Sequence, residues 1–582
     1  MTAGDLSQEE LIDILSRYNR KKKFYRLKNG AFVSAENSGL DTVAELKEGL
    51  QLTDRQLKME EISVPKYRAL YLDTQLKNDA SISAWKDKSF RSLIRNMKTV
   101  EDNDFEIPSE MESVLREYQK KGFLWLKTLQ CNGFGGILAD DMGLEKTIQV
   151  IAFLLSSYRE QQEGEQPSRG TLIVSPASLV YNWNSEFEKF APDLPVRMIT
   201  GTAEERAELV RQAGSEEILL TSYDLLKRDI EVYREYRFRH QVIDEAQVIK
   251  NHTTQAAHAV KEIQADFKLA LTGTPVENRL SELWSIFDYL MPGFLYSYQK
   301  FHEELEVPII QNADDTVMKR LQKMIAPFVL RRLKKDVLTD LPDKLEETMV
   351  AQLTGEQQKL YDAHVKRMML LLDKQSEEEF KTLKITILAE LTKLRQLCCD
   401  PGLLYEDYQR ESAKLEMCIN MIKNAVEGGH KLLVFSQFTS MLDRLADRLK
   451  KEKIRYHLLT GATSKEKRAE MVSTFSQDGI PVFLISLKAG GTGLNLTAAD
   501  IVIHFDPWWN LAVQNQATDR AHRIGQKNMD NVYKLVMKDT IEENILKLQE
   551  KKKELADQIL GGEGLNGSSL TKDDLLELLG EK

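Results

Sequence analysis

The hydrophobic and polar positions of the chain form two series of short apolar segments that alternate with amphipathic stretches. The first series runs from Leu115 to about Gly293, and the second runs from about Lys431 to a helix that starts near Ala512. The apolar segments of the first series are GGILA, TLIVSP, EILLTSY, HQVIDEA and KLALTGT. Those of the second series are KLLVFSQ, IRYHLLTG, PVFLISL and DIVIHFD. Alternation of this kind predicts two parallel sheets, each covered by helices on both faces.

The segments outside the two series predict three further parts. Residues 296–425 are rich in Leu, Lys and Glu at helical spacing, which predicts a mainly helical insertion or bridge. Residues 24–27 and 31–34 flank Lys28-Asn29-Gly30, a turn sequence typical of a β-hairpin. We therefore predict an α/β protein with an accessory domain at 1–112, a first lobe at 113–295, the bridge at 296–425, a second lobe at 426–560, and a linker and helix at 561–582.

Composition and charge narrow the classes of function. The 582 residues include 80 Lys and Arg against 90 Asp and Glu, and a net charge of -10 argues against a general polyanion binder while leaving room for a local basic groove. The four cysteines form no C-x-x-C pair, so neither a disulfide framework nor a zinc site is predicted. We find neither a signal-peptide pattern at the start nor an apolar stretch near the ~20 residues of a membrane span, and we expect a soluble protein with no membrane partner.

Residues 138–147, LADDMGLEKT, lie between an apolar strand and an apolar helix. A strand, a tight loop ending in Lys-Thr and a helix N-terminus together form a phosphate cradle, in which Lys146 reaches the β and γ phosphates and the Thr147 hydroxyl binds Mg²⁺. Glu145 stands where the nucleotide-binding pattern has glycine. Taken alone, the segment is equally compatible with a strand-to-helix turn that carries a capping lysine.

Two adjacent carboxylates follow Gln241-Val242-Ile243, the end of a predicted buried strand. The carboxyl ends of parallel strands are where α/β sheets bind ligands, so Asp244 is a candidate Mg²⁺ ligand and Glu245 a candidate to orient or deprotonate an attacking water. Helix capping is the alternative for an isolated acidic pair. Together with the phosphate cradle, the pair favours nucleotide hydrolysis.

The second series contributes a pair of arginines and a glycine-rich loop. In QATDRAHRIGQ, Arg520 and Arg523 are three positions apart and share one helix face, so they could neutralise a transferring phosphoryl group as arginine fingers. A surface charge pair is the alternative. The loop KAGGTGLN carries Gly491 and Gly493, which let the backbone approach a ligand closely.

Taken in order, these motifs resemble the Swi/Snf family of DNA-dependent ATPases of helicase superfamily two. The resemblance covers about 115–560 and rests on LREYQKKGFLWL, LADDMGLEKT, LIVSPASLVYNW, LLTSYDLL, IDEAQ, LTGTPVEN, VLRRLKKDV, LVFSQF, SLKAGGTGLNLTAAD and QATDRAHRIGQ. It implies two RecA-like lobes with a helical insertion between them. The first 112 residues resemble, more weakly, the associated region of bacterial members.

The resemblance also implies roles for individual residues. It assigns Gln119 to a contact with the adenine, and Asp140 and Gly143 to the nucleotide-binding loop. It assigns the binding of Mg-ATP to Lys146, Thr147, Asp244 and Glu245. It implies double-stranded DNA on the side away from the nucleotide, held through Ser175, Ser222, Tyr223, Ser436, Gln437, Thr460, Lys488 and Trp509.

The favoured interpretation is an ATP-driven translocase that moves along duplex DNA, does not separate the strands, and remodels complexes of protein with DNA. We expect a monomer that acts on DNA-bound proteins, with RNA polymerase among the candidates, in the bacterial cytoplasm at the nucleoid, or in a nucleus if the source is eukaryotic. Two alternatives stay open, a strand-separating helicase and a nucleotide-dead DNA-binding scaffold. Glu145 motivates the second, because it is predicted to impair ATP binding.

Overall fold

The computed structural model describes most of the chain. The described residues are 8–17, 24–27, 30–34, 40–50, 52–59, 61–78, 84–98, 104–161, 169–273, 280–312, 314–338, 344–373, 377–408, 410, 412–487, 496–508, 511–519, 521, 530–547 and 549–550. The predictions that lie outside them concern Arg520, Arg523, Gly491, Gly493, Lys488, Trp509 and the segment 561–582.

The N-terminal region contains the predicted hairpin. Strands β1 (Phe24–Arg26) and β2 (Phe32–Ser34) pair antiparallel, and Gly30 has a φ of +90°, which a glycine adopts without strain. Tyr25 packs into a small core with Leu11 and Ile14. The helices of this region are Gln8–Ser16, Leu40–Gly49, Asp54–Leu57, Arg68–Asn78, Lys88–Lys98 and Ser109–Glu112.

The first lobe is built on a seven-stranded sheet in which every pairing is parallel. Its strands are β3 (Gly136–Leu138), β4 (Arg169–Ser175), β5 (Val196–Met198), β6 (Ile218–Ser222), β7 (Arg237–Ile243), β8 (Gln264–Leu271) and β9 (Val329–Leu330). Their order is β5-β6-β4-β7-β8-β3-β9, so the five predicted strands are confirmed and two short edge strands are added. The helices of this lobe are Glu117–Asn132, Lys146–Gln161, Val180–Phe190, Ala203–Arg211, Tyr223–Tyr233, Gln255–Glu262 and Leu280–Leu290, with a 3₁₀ helix at Ala246–Ile249.

The second lobe has a six-stranded, wholly parallel sheet. Its strands are β10 (Lys344–Ala351), β11 (Leu432–Ser436), β12 (Tyr456–Leu459), β13 (Val482–Ser486), β14 (Ile501–His504) and β15 (Asp530–Met537), in the order β10-β15-β14-β11-β13-β12. The four predicted strands are β11 to β14. The helices are Ala413–Glu427, Thr439–Lys451, Lys465–Phe475 and Leu511–Thr518.

The bridge is mainly helical, as predicted, but it also completes both sheets. Its helices are Tyr298–Phe301, Val307–Gln311, Asp315–Ile325, Lys334–Val337, Gly355–Asp373 and Glu377–Cys399, with a π-helix at His302–Glu306 and 3₁₀ helices at Ala326–Phe328 and Pro401–Leu403. Strand β9 joins the first sheet, and β10 forms an edge of the second. The sequence pattern predicted neither strand. Strand β9 has only two residues, and β10 carries charged, exposed side chains that suit a sheet edge.

Within the described part of the chain, no helix combines the length and apolarity that crossing a bilayer requires. The four cysteines are free thiols. Cys131 is exposed, and the side chains of Cys398, Cys399 and Cys418 are buried.

Candidate active site

The phosphate loop, residues 139–145, connects β3 to the helix Lys146–Gln161. Gly143 and Glu145 both adopt left-handed backbone conformations, with φ of +87° and +52°. Lys146 and Thr147 are the first two residues of the helix, where unpaired N–H groups and the helix dipole favour a bound anion. These are the features expected of the predicted phosphate cradle, and phosphate binding by this loop stays a prediction.

Lys146 lies across this loop. Its Nζ donates a hydrogen bond to the carbonyl oxygen of Asp140 at 2.7 Å and a longer one to that of Asp141 at 3.5 Å. Burial lowers the pKa of Lys146, and the carboxylates of Asp140, Glu245 and Asp244 oppose that change. The acid pair of β7 thus acts electrostatically on the lysine of the phosphate loop.

Glu145 occupies a conformation that L-residues with a side chain avoid. A left-handed φ of +52° brings Cβ close to the following carbonyl, at a cost of about 1–2 kcal/mol that glycine does not pay. Burial, followed by the charge of Glu145, raises the pKa of Tyr118 to about 12. The Glu145 carboxylate therefore influences the side of the loop where Tyr118 lies.

Two neighbouring side chains of the helix Glu117–Asn132 tether the phosphate loop. The Tyr118 hydroxyl and the Gln119 Nε2 both donate to the carbonyl oxygen of Leu144, at 3.2 and 3.4 Å. Gln119 is buried, and its Oε1 accepts a hydrogen bond from the main-chain N–H of Arg116 at 2.9 Å. The adenine contact predicted for Gln119 stays a prediction, and the tether is a second role that the sequence did not reveal.

The carboxylate of Asp140 is engaged within the protein. It is fully buried, and its Oδ1 accepts a hydrogen bond from Nε of Arg332 at 2.8 Å. A second guanidinium nitrogen of Arg332 and the amide of Gln149 bind its Oδ2. Any contact between Asp140 and a nucleotide would therefore use the main chain. A buried aspartate requires a cation, but the sequence did not indicate that Arg332 supplies it.

The acid pair follows β7 directly. Asp244 Oδ2 accepts a hydrogen bond from Nε1 of Trp183 at 2.9 Å, and its main-chain carbonyl accepts one from the Tyr223 hydroxyl at 2.8 Å. Burial and the charge of Glu245 raise the pKa of Asp244 to about 6. Trp183, which sequence reasoning did not single out, and Tyr223 thus fix both the side chain and the main chain of this acid.

Glu245 has a φ of +52°, and its carboxylate connects to the next strand. Nε2 of Gln247 donates to Glu245 Oε2 at 2.5 Å, and the hydroxyl of Thr272, just after β8, donates to Gln247 Oε1 at 2.9 Å. The predicted LTGTP turn, which is described as far as Gly273, therefore reaches the acid pair through one glutamine.

The second lobe approaches the same place. Nε2 of Gln516, in the helix Leu511–Thr518, lies 3.5 Å from Glu245 Oε2. Asp519 Oδ1 lies 2.6 Å from Nζ of Lys334. Asp519 is the last described residue before Arg520, and the predicted arginine fingers Arg520 and Arg523 lie outside the described residues.

The predicted DNA contacts that the structure describes cluster at strand ends, but several are buried. Ser175, Ser222 and Ser436 end β4, β6 and β11, and their side chains, like that of Tyr223, are buried. The hydroxyl of Ser436 donates to Asp506 at 2.5 Å, and that of Ser222 caps the following helix. DNA binding through these residues stays a prediction. Gln437 and Thr460 are partly exposed.

Comparison with known proteins assigns the chain to a family. The family described as SNF2-related domain matches residues 118–403, the helicase conserved C-terminal domain matches 413–525, and the family described as bacterial SNF2 helicase associated matches 1–108. The chain belongs to the SNF2 family. The Sulfolobus solfataricus SWI2/SNF2 ATPase core, solved with dsDNA, is 37% identical, and the match covers 77% of this chain and 93% of that one at a TM-score of 0.39.

The SNF2 relatives include bacterial and eukaryotic proteins. An uncharacterized ATP-dependent helicase of Mycoplasma pneumoniae is 41% identical over 83% of this chain, and the putative ATP-dependent helicase/translocase YwqA of Bacillus subtilis is 39% identical over 82%. The TATA-binding protein-associated factor MOT1 of Saccharomyces cerevisiae is 34% identical over 81% of this chain and 29% of its own length. The chain spans about half of the two bacterial relatives, 46% and 52% of their lengths.

Proposed function

We propose that this SNF2 protein hydrolyses ATP between its two lobes and uses the energy to move along double-stranded DNA, displacing bound proteins without separating the strands. The proposal is supported chiefly by a contact between the lobes. Gln516 of the second lobe lies 3.5 Å from Glu245 of the first, so the helix that precedes Arg520 meets the acid pair beside the phosphate loop. A site divided between two lobes can couple a change in the nucleotide to relative movement of the lobes.

Thr147 and Asp244 would hold Mg²⁺. A hydroxyl and a carboxylate are hard oxygen donors of the kind that Mg²⁺ prefers, and Mg²⁺ usually takes its remaining ligands from substrate phosphates and water. The described residues contain no cluster of three His, Cys, Asp or Glu side chains suited to a metal. When bound, the ion would neutralise part of the triphosphate charge.

The other residues take distinct parts in the proposed reaction. Lys146 leaves the carbonyls of the loop to bind the β and γ phosphates, and Glu245 orients or deprotonates the attacking water. Arg520 and Arg523 stabilise the charge of the transition state from the second lobe. Gly491 and Gly493 allow the backbone of that lobe to approach the nucleotide.

Glu145 lowers the affinity of the proposed site for ATP. Its Cβ stands in a left-handed turn, and its carboxylate adds negative charge beside a site for a polyanion. We therefore propose that ATP binds more weakly than it would to a loop with glycine at position 145. The positive φ of Glu145 also favours a second candidate function, a DNA-binding scaffold that does not turn over nucleotide.

The DNA and its bound proteins are the proposed substrates. SNF2 relatives named helicase/translocase and TATA-binding protein-associated factor support a DNA path and a DNA-bound protein as the target. RNA polymerase is one candidate for that protein, and a monomer in the bacterial cytoplasm, at the nucleoid, is the proposed working form. A DNA path along the strand ends makes mainly backbone contacts, so binding should not depend on sequence.

Three measurements on the same preparation test the proposed function. ATP hydrolysis is measured with and without blunt duplex, displacement of a third strand from a triplex reports translocation, and release of a strand from a forked duplex reports unwinding. We expect duplex-stimulated hydrolysis and third-strand displacement, and no fork unwinding. Glu245→Gln should lose both the hydrolysis and the third-strand displacement. Fork unwinding would favour the helicase alternative, and duplex binding with no hydrolysis would favour the scaffold.

A further inference from the structure

The segment after β9 contacts both lobes through one residue. The main-chain N–H of Lys334 donates to Oδ2 of Asp141, in the phosphate loop, at 3.0 Å. Its Nζ donates to Oδ1 of Asp519, in the second lobe, at 2.6 Å. The side chains of Lys334 and Asp519 are only 12% and 19% exposed, so water screens this ion pair less than it screens a surface pair.

Lys334 lies between two carboxylates that repel each other. Burial raises the pKa of Asp141, and the negative charge of Asp519 raises it further, while the charges of Arg331 and Lys334 oppose this change. The carboxylates of Asp141 and Asp519 are therefore near enough to interact across the interlobe boundary. Removal of the Lys334 charge would leave this repulsion with less compensation and would favour separation of the lobes.

The ion pair lies beside the reacting centre of the proposed ATPase. Asp519 immediately precedes Arg520, and Gln516, one helical turn earlier, is 3.5 Å from Glu245. We propose that Lys334 is a positioning residue whose ion pair with Asp519 holds the lobes together before nucleotide binds and thereby keeps Gln516 of the second lobe beside Glu245 of the first. The closure of the lobes stands on its own, whereas its effect on hydrolysis rests on the proposed function.

A second ion pair of the second lobe provides a matched control. Lys423 and Glu452 lie 2.8 Å apart, with exposures of 34% and 27%, and both belong to that lobe. Loss of this pair removes a lysine and a salt bridge without altering any contact between the lobes. Lys423→Ala therefore separates a general effect of charge removal from an effect on lobe closure.

Energy transfer between two fluorophores tests the proposal without nucleotide. Cys131 of the first lobe is exposed, the other three cysteines are buried, and Ser476→Cys places a second label at an exposed position of the second lobe. We expect Lys334→Ala and Asp519→Ala each to shift the population toward open lobes by about 10-fold, the factor that ~1.4 kcal/mol represents. Lys423→Ala should leave the distribution unchanged.

The charge-swapped protein, Lys334→Glu with Asp519→Lys, decides whether the pair itself is responsible. Restored energy transfer supports the proposal. Energy transfer that is unchanged in the single variants, or lowered in them and not restored by the swap, overturns it. Thermal unfolding of each variant identifies a protein that has lost its fold, and in that case Asp519→Asn, which removes only the charge, replaces the alanine variant.

Steady-state hydrolysis then tests the effect of lobe closure on the proposed reaction. We expect the single variants to lower kcat with duplex about 10-fold while the KM for ATP changes little, and the swap to restore kcat. An equal rise in KM with unchanged kcat would contradict the positioning role. If the unaltered protein hydrolyses no ATP, the proposed function fails, and the energy-transfer result still decides whether Lys334 closes the lobes.

Discussion

The hydroxyl of Tyr223 donates to the main-chain carbonyl of Asp244 at 2.8 Å, which joins the end of β6 to the acid that follows β7. Tyr223 belongs to the predicted DNA path, and Asp244 is the proposed Mg²⁺ ligand. A displacement of the β6 end by bound DNA would therefore reach the acid pair through one hydrogen bond. This contact offers a direct route by which duplex DNA could stimulate hydrolysis.

Tyr223→Phe removes that hydrogen bond and keeps the buried ring. We expect the stimulation of ATP hydrolysis by duplex, taken as the ratio of rates with and without DNA, to fall severalfold, because the β6 end no longer holds the Asp244 carbonyl. Tyr233→Phe is the matched control, since Tyr233 is a buried tyrosine at the other end of the same helix. Equal ratios in the two variants and in the unaltered protein would exclude the route.

Glu145→Gly should raise the affinity for ATP. Two like charges ~4 Å apart repel by about 1 kcal/mol in water and about 4 kcal/mol at an effective dielectric near 20. The gain is then up to roughly three decades in affinity at ~1.4 kcal/mol per decade, with turnover rising in parallel and DNA binding unchanged. Calorimetric titration with a slowly hydrolysed ATP analogue measures the gain in affinity.

Glu145→Gln separates the two causes at this position. The amide keeps Cβ at the left-handed φ and removes the charge, so an intermediate affinity indicates that both strain and repulsion contribute. An affinity equal to that of Glu145→Gly would assign the whole effect to charge. If neither variant binds ATP more tightly than the unaltered chain, the phosphate loop tolerates the carboxylate and the proposed impairment is wrong.

Arg332→Met should destabilise the first lobe. The substitution leaves the fully buried carboxylate of Asp140 without its cation, and loss of one partner of a buried pair typically costs about 3–5 kcal/mol. Chemical denaturation, followed by the fluorescence of the tryptophans, measures the loss. Arg197→Met, which breaks the more exposed pair with Glu217, should cost less, and Arg332→Met with Asp140→Leu should recover most of the stability. Losses of equal size in Arg332→Met and Arg197→Met would contradict this account.

Duplex binding should fall steeply with salt. If six or more phosphates are contacted, raising the salt from ~50 to ~200 mM lowers the affinity by roughly three or more decades, and duplexes of different sequence should bind alike. The net charge of -10 makes the measurement informative, because only a locally basic groove produces such a slope in an acidic protein. A flat response in fluorescence anisotropy, or a strong preference for one duplex, would exclude contacts mainly to the backbone.

The sequence predicted the parts of the fold that local patterns encode. Strand β11 is a continuous apolar run that ends in a serine, and β4 ends in the apolar run 172–174 followed by a serine. The sequence did not predict β10, because a charged edge strand lacks that pattern. Nor did it predict the partners of Asp140 and Asp519, because Arg332 and Lys334 lie 192 and 185 positions away and only the folded chain brings them together.

In the proposed function, duplex DNA stimulates ATP hydrolysis at the site between the lobes. The most direct test measures the steady-state rate of ATP hydrolysis by the unaltered chain and by Glu145→Gly, each with and without blunt duplex, with Glu245→Gln as the inactive control. We predict that duplex raises the rate severalfold in both proteins, that the rate is higher in Glu145→Gly, and that Glu245→Gln is inactive. A rate that duplex leaves unchanged in both proteins, although each binds the duplex, would contradict the account.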